Sequence, residues 1–221
     1  MHSRKTERTG GIALVEALLA ATLLVVFTSG ALLMARSTTD AYRTESSFSE
    51  LGLRAHRALT EVTRTLRLAD AAAVTPPGIV APASTAQLDF QRPRGYLDAG
   101  IDWDDAERLV FEPEPGEPEN GLDDDGDGWI DEGRLVWIDD LGLATERRKV
   151  LCHGVAHDLE GETAGNLIDD NGNGLVDERG FCVDFTGAQA TIRLTVEGRD
   201  RNGSPIQHTV QRAVALRNTS S

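Results

Sequence analysis

Two stretches of this chain set oxygen-bearing side chains at alternate positions, a spacing suited to enclosing a hard cation. They are Asn120-GLDDDGDGWIDE-Gly133 and Asn166-LIDDNGNGLVDE-Arg179, which align without gaps at an offset of 46 residues. The donors are Asp123, Asp125, Asp127 and Asp131 in the first, and Asp169, Asn171, Asn173 and Asp177 in the second. Alternation within a glycine-bearing loop turns successive oxygens toward one centre, and calcium takes about 6–8 oxygen ligands. Gly128 and Gly174 stand where such a loop must turn sharply, and the next residues, Trp129 and Leu175, would each lend a backbone carbonyl. Ile130 and Val176 follow as expected anchors to the core, and Glu132 and Glu178 complete the two candidate ligand sets. Asp, Asn and Gly are also the commonest residues of solvated turns. Two copies in one register favour the metal site over the plain turn. The second copy carries fewer formal charges and should bind more weakly.

Both stretches resemble the first half of an EF-hand loop, and still more the short calcium loops of dockerins and of acidic repeats in secreted bacterial proteins. They depart from an EF-hand at position twelve, where Arg134 and Gly180 stand in place of its bidentate Glu. Glu132 and Glu178, two residues earlier, are the replacements, and a calcium-stapled loop between strands is expected rather than a helix-flanked one. Without an ion the clustered carboxylates repel and the loops should be mobile; extracellular calcium would order them. Calcium would then act as a folding and assembly signal outside the cytoplasm.

The formal charge is -14, from 22 basic and 36 acidic residues, and the excess is local. Asp98 to Glu132 holds 15 acids against a single base, Arg108. Nucleic-acid binding needs clustered Lys and Arg at phosphates, so cations are the expected partners and nucleic acids are not. Catalysis has no positive sign in the sequence, which lacks a Gly-rich phosphate loop, GxSxG and HExxH. Cys152, His153 and His157 come from one short segment, without a second spaced Cys/His pair, and make a poor transition-metal site. In an exported domain Cys152 and Cys182 are candidates for a disulfide contributing about 3 kcal/mol; two buried free thiols are the alternative.

The elements that must carry these loops begin with an apolar run of 23 residues, Ile12 to Met34. At about 1.5 Å per residue it crosses a hydrocarbon core of about 30 Å. Arg4, Lys5 and Arg8, opposed only by Glu7, should hold the short leader in the cytoplasm and send the rest outward. The run exceeds the apolar core of a secretory signal, about 7–15 residues. An uncleaved anchor or a leader cut ahead of the run remain, and Glu16 bears on the choice. A carboxylate in hydrocarbon is costly unless paired or protonated. Cleavage after Gly11 would supply a partner by creating a charged amine on Ile12, with Glu16 as the fifth residue of the product.

The string Gly11-Ile12-Ala13-Leu14-Val15-Glu16, behind a basic leader and ahead of a long apolar helix, resembles the class III signal of type IV prepilins and type II secretion pseudopilins. That resemblance implies cleavage after Gly11 by a prepilin peptidase and N-methylation of Ile12. It also implies residence in the inner membrane and assembly with other pilin or pseudopilin subunits into a type IV pilus or a type II secretion system pseudopilus. Ile12 stands where the family usually has Phe, and Ala13 where it usually has Thr or Ser. The family further implies that Glu16 meets the free amine of a neighbouring subunit. A buried charge is tolerated when an opposite charge arrives, so Glu16 would penalise misaligned subunits. An uncleaved, single-pass calcium-binding module is the alternative.

Past the apolar run, Phe48, Leu51, Ala55, Leu59, Val62, Leu66 and Ala69 recur at spacings of three and four, one apolar face of a helix. Arg54, Arg57, Arg64 and Arg67 fall off that face, with Glu50/Arg54 and Arg57/Glu61 as opposite-charge pairs. Pro76, Pro77 and Gly78 forbid continuation, so the helix should end near Asp70. The expected organisation is a leader over 1–11, a transmembrane and amphipathic helix over 12–70, and a globular β-rich domain over 79–221. Candidate strands are 87–91, 108–112, 134–138, 149–153, 181–185, 191–197 and 207–216, the last two joined at Asn202-Gly203. A long helix packed on an antiparallel sheet is an α+β fold, and it matches the pilin shape the resemblance implies. Val214-Ala215-Leu216-Arg217-Asn218, with the Arg-rich helix, is similar to J-type minor pseudopilins and W-type minor pilins.

Overall fold

A computed structural model describes residues 7–71, 73–77, 79–98, 100–163, 165–200 and 203–216, with side chains from Ala13 onward. The chain forms two compact units, Met1–Ser46 and Ser47–Ser221, and the helix α1 runs Glu7–Leu66. In the first unit Leu14, Val15, Leu18, Leu19, Val25 and Phe27 are all exposed, so the helix is apolar on every side. A helix of that kind is stable where water does not reach it. Among the described residues it is the one helix long and apolar enough to cross a membrane. The hydroxyls of Thr22 and Thr28 donate to the carbonyls of Leu19 and Leu24 at 2.9 and 2.8 Å, so both are satisfied by the helix's own backbone. Glu16 is exposed within this run. The basic leader residues Arg4 and Lys5 and the side chain of Ile12 lie outside the described residues.

In the second unit the helical stripe is buried as its spacing requires: Leu51, Ala55, Leu59, Val62, Leu66 and Ala69 all join the core. Phe48, at 37% exposed, is the exception. Arg54, Arg57, Arg64 and Arg67 are exposed. Glu61 takes Arg64 at 2.8 Å and Lys149 at 3.4 Å as its ion-pair partners, in place of the expected Arg57.

The strands are β1 Gln87–Phe90, β2 Pro93–Leu97, β3 Gly100–Trp103, β4 Glu107–Pro113, β5 Gly133–Asp139, β6 Arg147–Val155, β7 Phe181–Thr186, β8 Gln189–Arg199 and β9 Pro205–Ala215. Every pairing is antiparallel, in the order β1-β4-β5-β6-β8-β7 with β9 also on β8, and β2 pairs β3 apart from this sheet. The single register pair between β6 and β8, Val155 with Val196, lets the sheet curl at that point. The second unit is thus α+β, and seven of its strands coincide with those expected. The β2–β3 hairpin was not expected. Pro93 and Gly95 interrupt its first strand, and Pro is tolerated at a strand start or edge.

Register decides where the two acidic stretches lie. Gly133 opens β5 opposite Pro113, the last residue of β4, and also faces Val155, the last residue of β6. Val155 faces Val196, and Phe181 opens β7 opposite Leu194. The β4–β5 and β6–β7 connections therefore leave from one end of the sheet, beside the end of β8. Two crowded glycines hold that end together: a Cβ on Gly180 would collide with the Ala156 carbonyl, and one on Gly128 with the Arg199 guanidinium.

The expected disulfide is corrected. Cys152 and Cys182 are both free and buried. Cys152 belongs to the core beneath the helix, whereas Cys182 alternates with the core residues Phe181 and Val183 and so points to the other face of the sheet. Arg193, Glu178 and Asp184 are the charges that act on the Cys182 thiol. Burial pushes the Cys152 thiol up to about 11 and the Cys182 thiol up to about 12.

Leu59 is fully buried at the centre of the helical stripe, so Leu59→Ala should cost about 2–5 kcal/mol. Arg57→Ala, on the exposed side, should stay within about 0.5 kcal/mol. Denaturant unfolding of the full chain in detergent, followed by tryptophan fluorescence, measures both; equal losses would contradict the helix-on-sheet core.

Candidate metal-binding loops

Each acidic loop is closed by its own last aspartate. Asp131 accepts from the N–H groups of Asn120 and Gly121 at 2.8 and 2.9 Å, and Asp177 from those of Asn166 and Leu167 at 3.0 and 3.1 Å. Both aspartates have a positive φ, 53° and 51°, which Asp tolerates better than most residues. Asn120 and Asn166 repeat the same bonds, donating to Asp124 and Asp170 and accepting from the N–H of Leu122 and Ile168. The repeat read from sequence is therefore a repeat of structure. Asp131 and Asp177, expected as ligands, spend their oxygens on backbone amides at the loop mouth.

Inside the loops the alternating donors form a ladder. The Asp125 and Asp127 carboxylates accept from the N–H of Asp127 and Trp129 at 3.0 and 2.9 Å; Asn171 and Asn173 accept from Asn173 and Leu175 at 3.0 and 2.8 Å. Asp123 and Asp169 reach across to the N–H of Gly128 and Gly174 at 2.9 and 2.8 Å. Gly128 and Gly174 carry φ of 93° and 90°, as the sharp turn requires. Asp123, Asp125 and Asp127 each bring a carboxylate oxygen within 4.8 Å of the others, a group that could hold a metal ion. Asp104, Asp105 and Asp140 form another such group, although Asp104 already accepts from Arg94 at 2.5 Å.

The expected anchors are out by one position. Ile130 is 56% exposed, while Leu175, at 1%, is the residue that anchors the second loop. In the first loop Arg199 lies over the Trp129 ring at 5.4 Å and donates to the Asp127 carbonyl. Neither loop has flanking helices; each joins two strands, as the departure from the EF-hand pattern suggests. Arg134, at the EF-hand's twelfth position, is the second residue of β5 and pairs with Glu112 at 3.4 Å, and Gly180 packs on Ala156.

Glu117 and Glu162 were missed in the sequence. Glu117 is 1% exposed and accepts from the N–H groups of Asp124, Asp125 and Asp131 at 3.0, 3.1 and 3.3 Å. Its carboxylate also lies within 4.8 Å of those of Asp125 and Glu132. Glu162 accepts from Asn171, the counterpart of Asp125, at 3.0 Å. Both precede their loops, at an offset of 45 rather than 46, so a gapless alignment sets neither against the other. In the structure each closes a tight turn leading into its loop, its N–H donating to the carbonyl three residues earlier, that of Glu114 and of Leu159.

The charge gathered here is not balanced by bases. Burial is the main reason the Glu132 carboxyl is pushed up to about 7, with Asp127, Glu117 and Asp125 adding to it. Burial likewise raises Glu197 to about 7 against a hydrogen bond from Gln207, with Glu132 and Asp127 raising it further. Glu178 is raised by burial, opposed by the Asn173 amide that donates to it at 2.6 Å. Arg179 joins the two loops by donating to Glu119 at 3.2 Å and contacting His157. A cleft of about 570 Å³ opens between them, lined by Trp129, Asp131, His157, Glu162 and Glu197 among others. His153 pairs instead with Glu114 at 2.7 Å, so Cys152, His153 and His157 form no common site.

Comparison of the chain with protein-family models, with curated proteins and with solved structures gives no match. What the loops can hold rests on their own chemistry. Their donors are oxygens throughout, which suits a hard cation rather than a soft one.

The raised carboxyls set a pH dependence. Glu132 and Glu197 hold their protons to about 7 when folded, against 4.5 for the free group. The stability they lend is full below 4.5 and drains as pH rises through about 7. In chelator, the unfolding temperature of the full chain should fall between pH 5 and 8, and Glu197→Gln should flatten the fall. A metal-free profile that rises over that range would contradict this account.

Proposed function

We propose that the protein is a minor pilin or pseudopilin whose exported domain is stapled by calcium in its two acidic loops. The observation that carries this reading is Glu16, a lone carboxylate in an otherwise apolar, exposed helical run, five residues after Gly11. Cleavage after Gly11 gives that carboxylate a purpose, because the new Ile12 amine of a neighbouring subunit can neutralise it within an apolar filament core. The basic leader fits retention of the N-terminus in the cytoplasm and export of the sheet domain across the inner membrane. A helix buried along one face against an antiparallel sheet fits the shape of a pilin subunit.

Calcium is assigned to the loops because their ligands are carboxylate, amide and carbonyl oxygens in a flexible chain segment, and extracytoplasmic calcium is plentiful enough for sites of modest affinity. The protein's partners in this reading are a prepilin peptidase, other pilin or pseudopilin subunits and the membrane. No catalytic role is assigned to it.

Intact mass of the full chain expressed with and without a prepilin peptidase tests the first part. Loss of residues 1–11 only when the peptidase is present is the expected result. An unchanged mass in both would leave an uncleaved, membrane-anchored calcium module as the better account. Calcium at a hundredfold excess over Kd should stabilise the domain by about 2.7 kcal/mol per occupied site; an unfolding temperature that calcium leaves unmoved would refute the second part.

A further inference from the structure

We propose that the cation in each acidic loop is held from beneath by a glutamate pair, Glu117 with Glu132 in the first loop and Glu162 with Glu178 in the second. This inference rests on the calcium reading and names the ligands that the alternating donors alone do not supply. In both loops one glutamate comes from the turn before the loop and the other from its last position. The two pairs are structural equivalents. Glu117 accepts from the N–H of Asp125 and Glu162 from that of its counterpart Asn171, while Glu132 and Glu178 share one register of the repeat.

The polar atoms left without partners point to the ligand. Among the described residues, four buried side-chain atoms have no hydrogen-bond partner: Glu132 Oε2, Glu162 Oε2, Glu178 Oε2 and Arg134 Nε. Three of the four belong to the glutamate pairs. Glu132 and Glu178 are 3% and 0% exposed, so water does not solvate those oxygens from outside. Buried carboxylate oxygens are ordinarily paired, because leaving one unpaired costs its full desolvation. The Glu132 carboxylate lies within 4.8 Å of those of Glu117 and Asp125, the spacing of oxygens around one ion. Bases bordering the loops are engaged elsewhere: Arg199 with the Asp127 carbonyl, Arg179 with Glu119 and His157, Arg134 with Glu112. A divalent cation between ladder and glutamate pair satisfies the free oxygens and offsets the repulsion in one step.

The two loops differ in how far they neutralise themselves. Asn173 donates to Glu178, whereas its counterpart Asp127 adds a second negative charge beside Glu132. The first loop therefore needs its cation more.

Calorimetric titration of calcium alone into the full chain in detergent micelles, with circular dichroism as the check on folding, tests the assignment. Wild type should take up two ions. No uptake at millimolar calcium would overturn the calcium reading and this inference with it. Glu117→Gln keeps an oxygen for the backbone N–H groups and should weaken one step at least tenfold while leaving the other; Glu162→Gln should do the reverse. Wild-type affinity at both steps in both variants would overturn the glutamate pairs and leave the calcium reading standing. Glu132→Gln separates ligation from folding: it should weaken calcium binding while circular dichroism shows the metal-free fold intact. Unchanged calcium affinity in that variant would overturn the proposal even if Glu117→Gln failed to fold. Asp98→Asn, on an exposed residue of the β2–β3 turn away from both loops, should change neither step.

Discussion

Glu117, Glu132, Glu178 and Glu197 are buried at one end of a single curled sheet, where the bordering Arg134, Arg179 and Arg199 pair with other groups. Two carboxylates sharing a dry site repel, and each also loses its hydration, so such a cluster is stable only when something supplies opposite charge or protons. The chain supplies part of it from the backbone: three N–H groups converge on Glu117 and two on Asp131. Protons supply another part at low pH, which is why Glu132 and Glu197 hold theirs to about 7. Under the proposed reading a cation supplies the remainder at neutral pH. Loop geometry, electrostatics and the expected response to calcium are three consequences of one arrangement of acids.

That arrangement exists because the antiparallel register brings four strand ends together. Pro113, Gly133, Val155 and Val196 are neighbours across successive ladders, so two loops far apart in sequence leave the sheet side by side. Gly180 admits the close approach of the Ala156 backbone, which any larger residue would block. The amphipathic part of α1 contributes from the opposite side of the problem. Its stripe from Leu51 to Leu66 fills the core on the other side of the sheet's packing, away from the acidic loops.

The periodic features were legible in the sequence and the non-periodic ones were not. Spacing of three and four located the buried face of α1 residue by residue, failing only at Phe48 where the stripe begins. Alternation and turn residues located seven strands, and the gapless repeat located both loops together with Asp123, Asp125 and Asp127. Glu117 and Glu162 escaped because a ligand that enters from a neighbouring turn follows no fixed spacing. Their offset differs from that of the loops by one residue. Anchoring by Leu175 rather than Val176 is a one-residue error of the same kind, since loop periodicity does not say which side chain faces inward. The Cys152–Cys182 pairing was argued from compartment, which carries no geometry, and alternation along β7 turns Cys182 away from the core that holds Cys152. The β2–β3 hairpin stayed hidden behind Pro93 and Gly95, residues that read as a break.

The asymmetry between the loops connects this chemistry to the proposed life of the chain. With Asp127 beside Glu132, the first loop is the one whose closure is opposed by charge; with Asn173 donating to Glu178, the second is partly closed by its own amide. A chain that starts in a calcium-poor cytoplasm and finishes outside it would therefore carry one loop already near its final form and one that waits for its ion. Arg179 ties the second loop to Glu119 at the mouth of the first, so ordering one restrains the approach to the other. Under the proposed reading both charged devices obey the same physics at opposite ends of the protein. Glu16 is tolerated in an apolar core only when a neighbour's amine arrives, and the loop acids are tolerated in a packed sheet end only when a cation does. Assembly and folding would each be gated by the arrival of a positive charge.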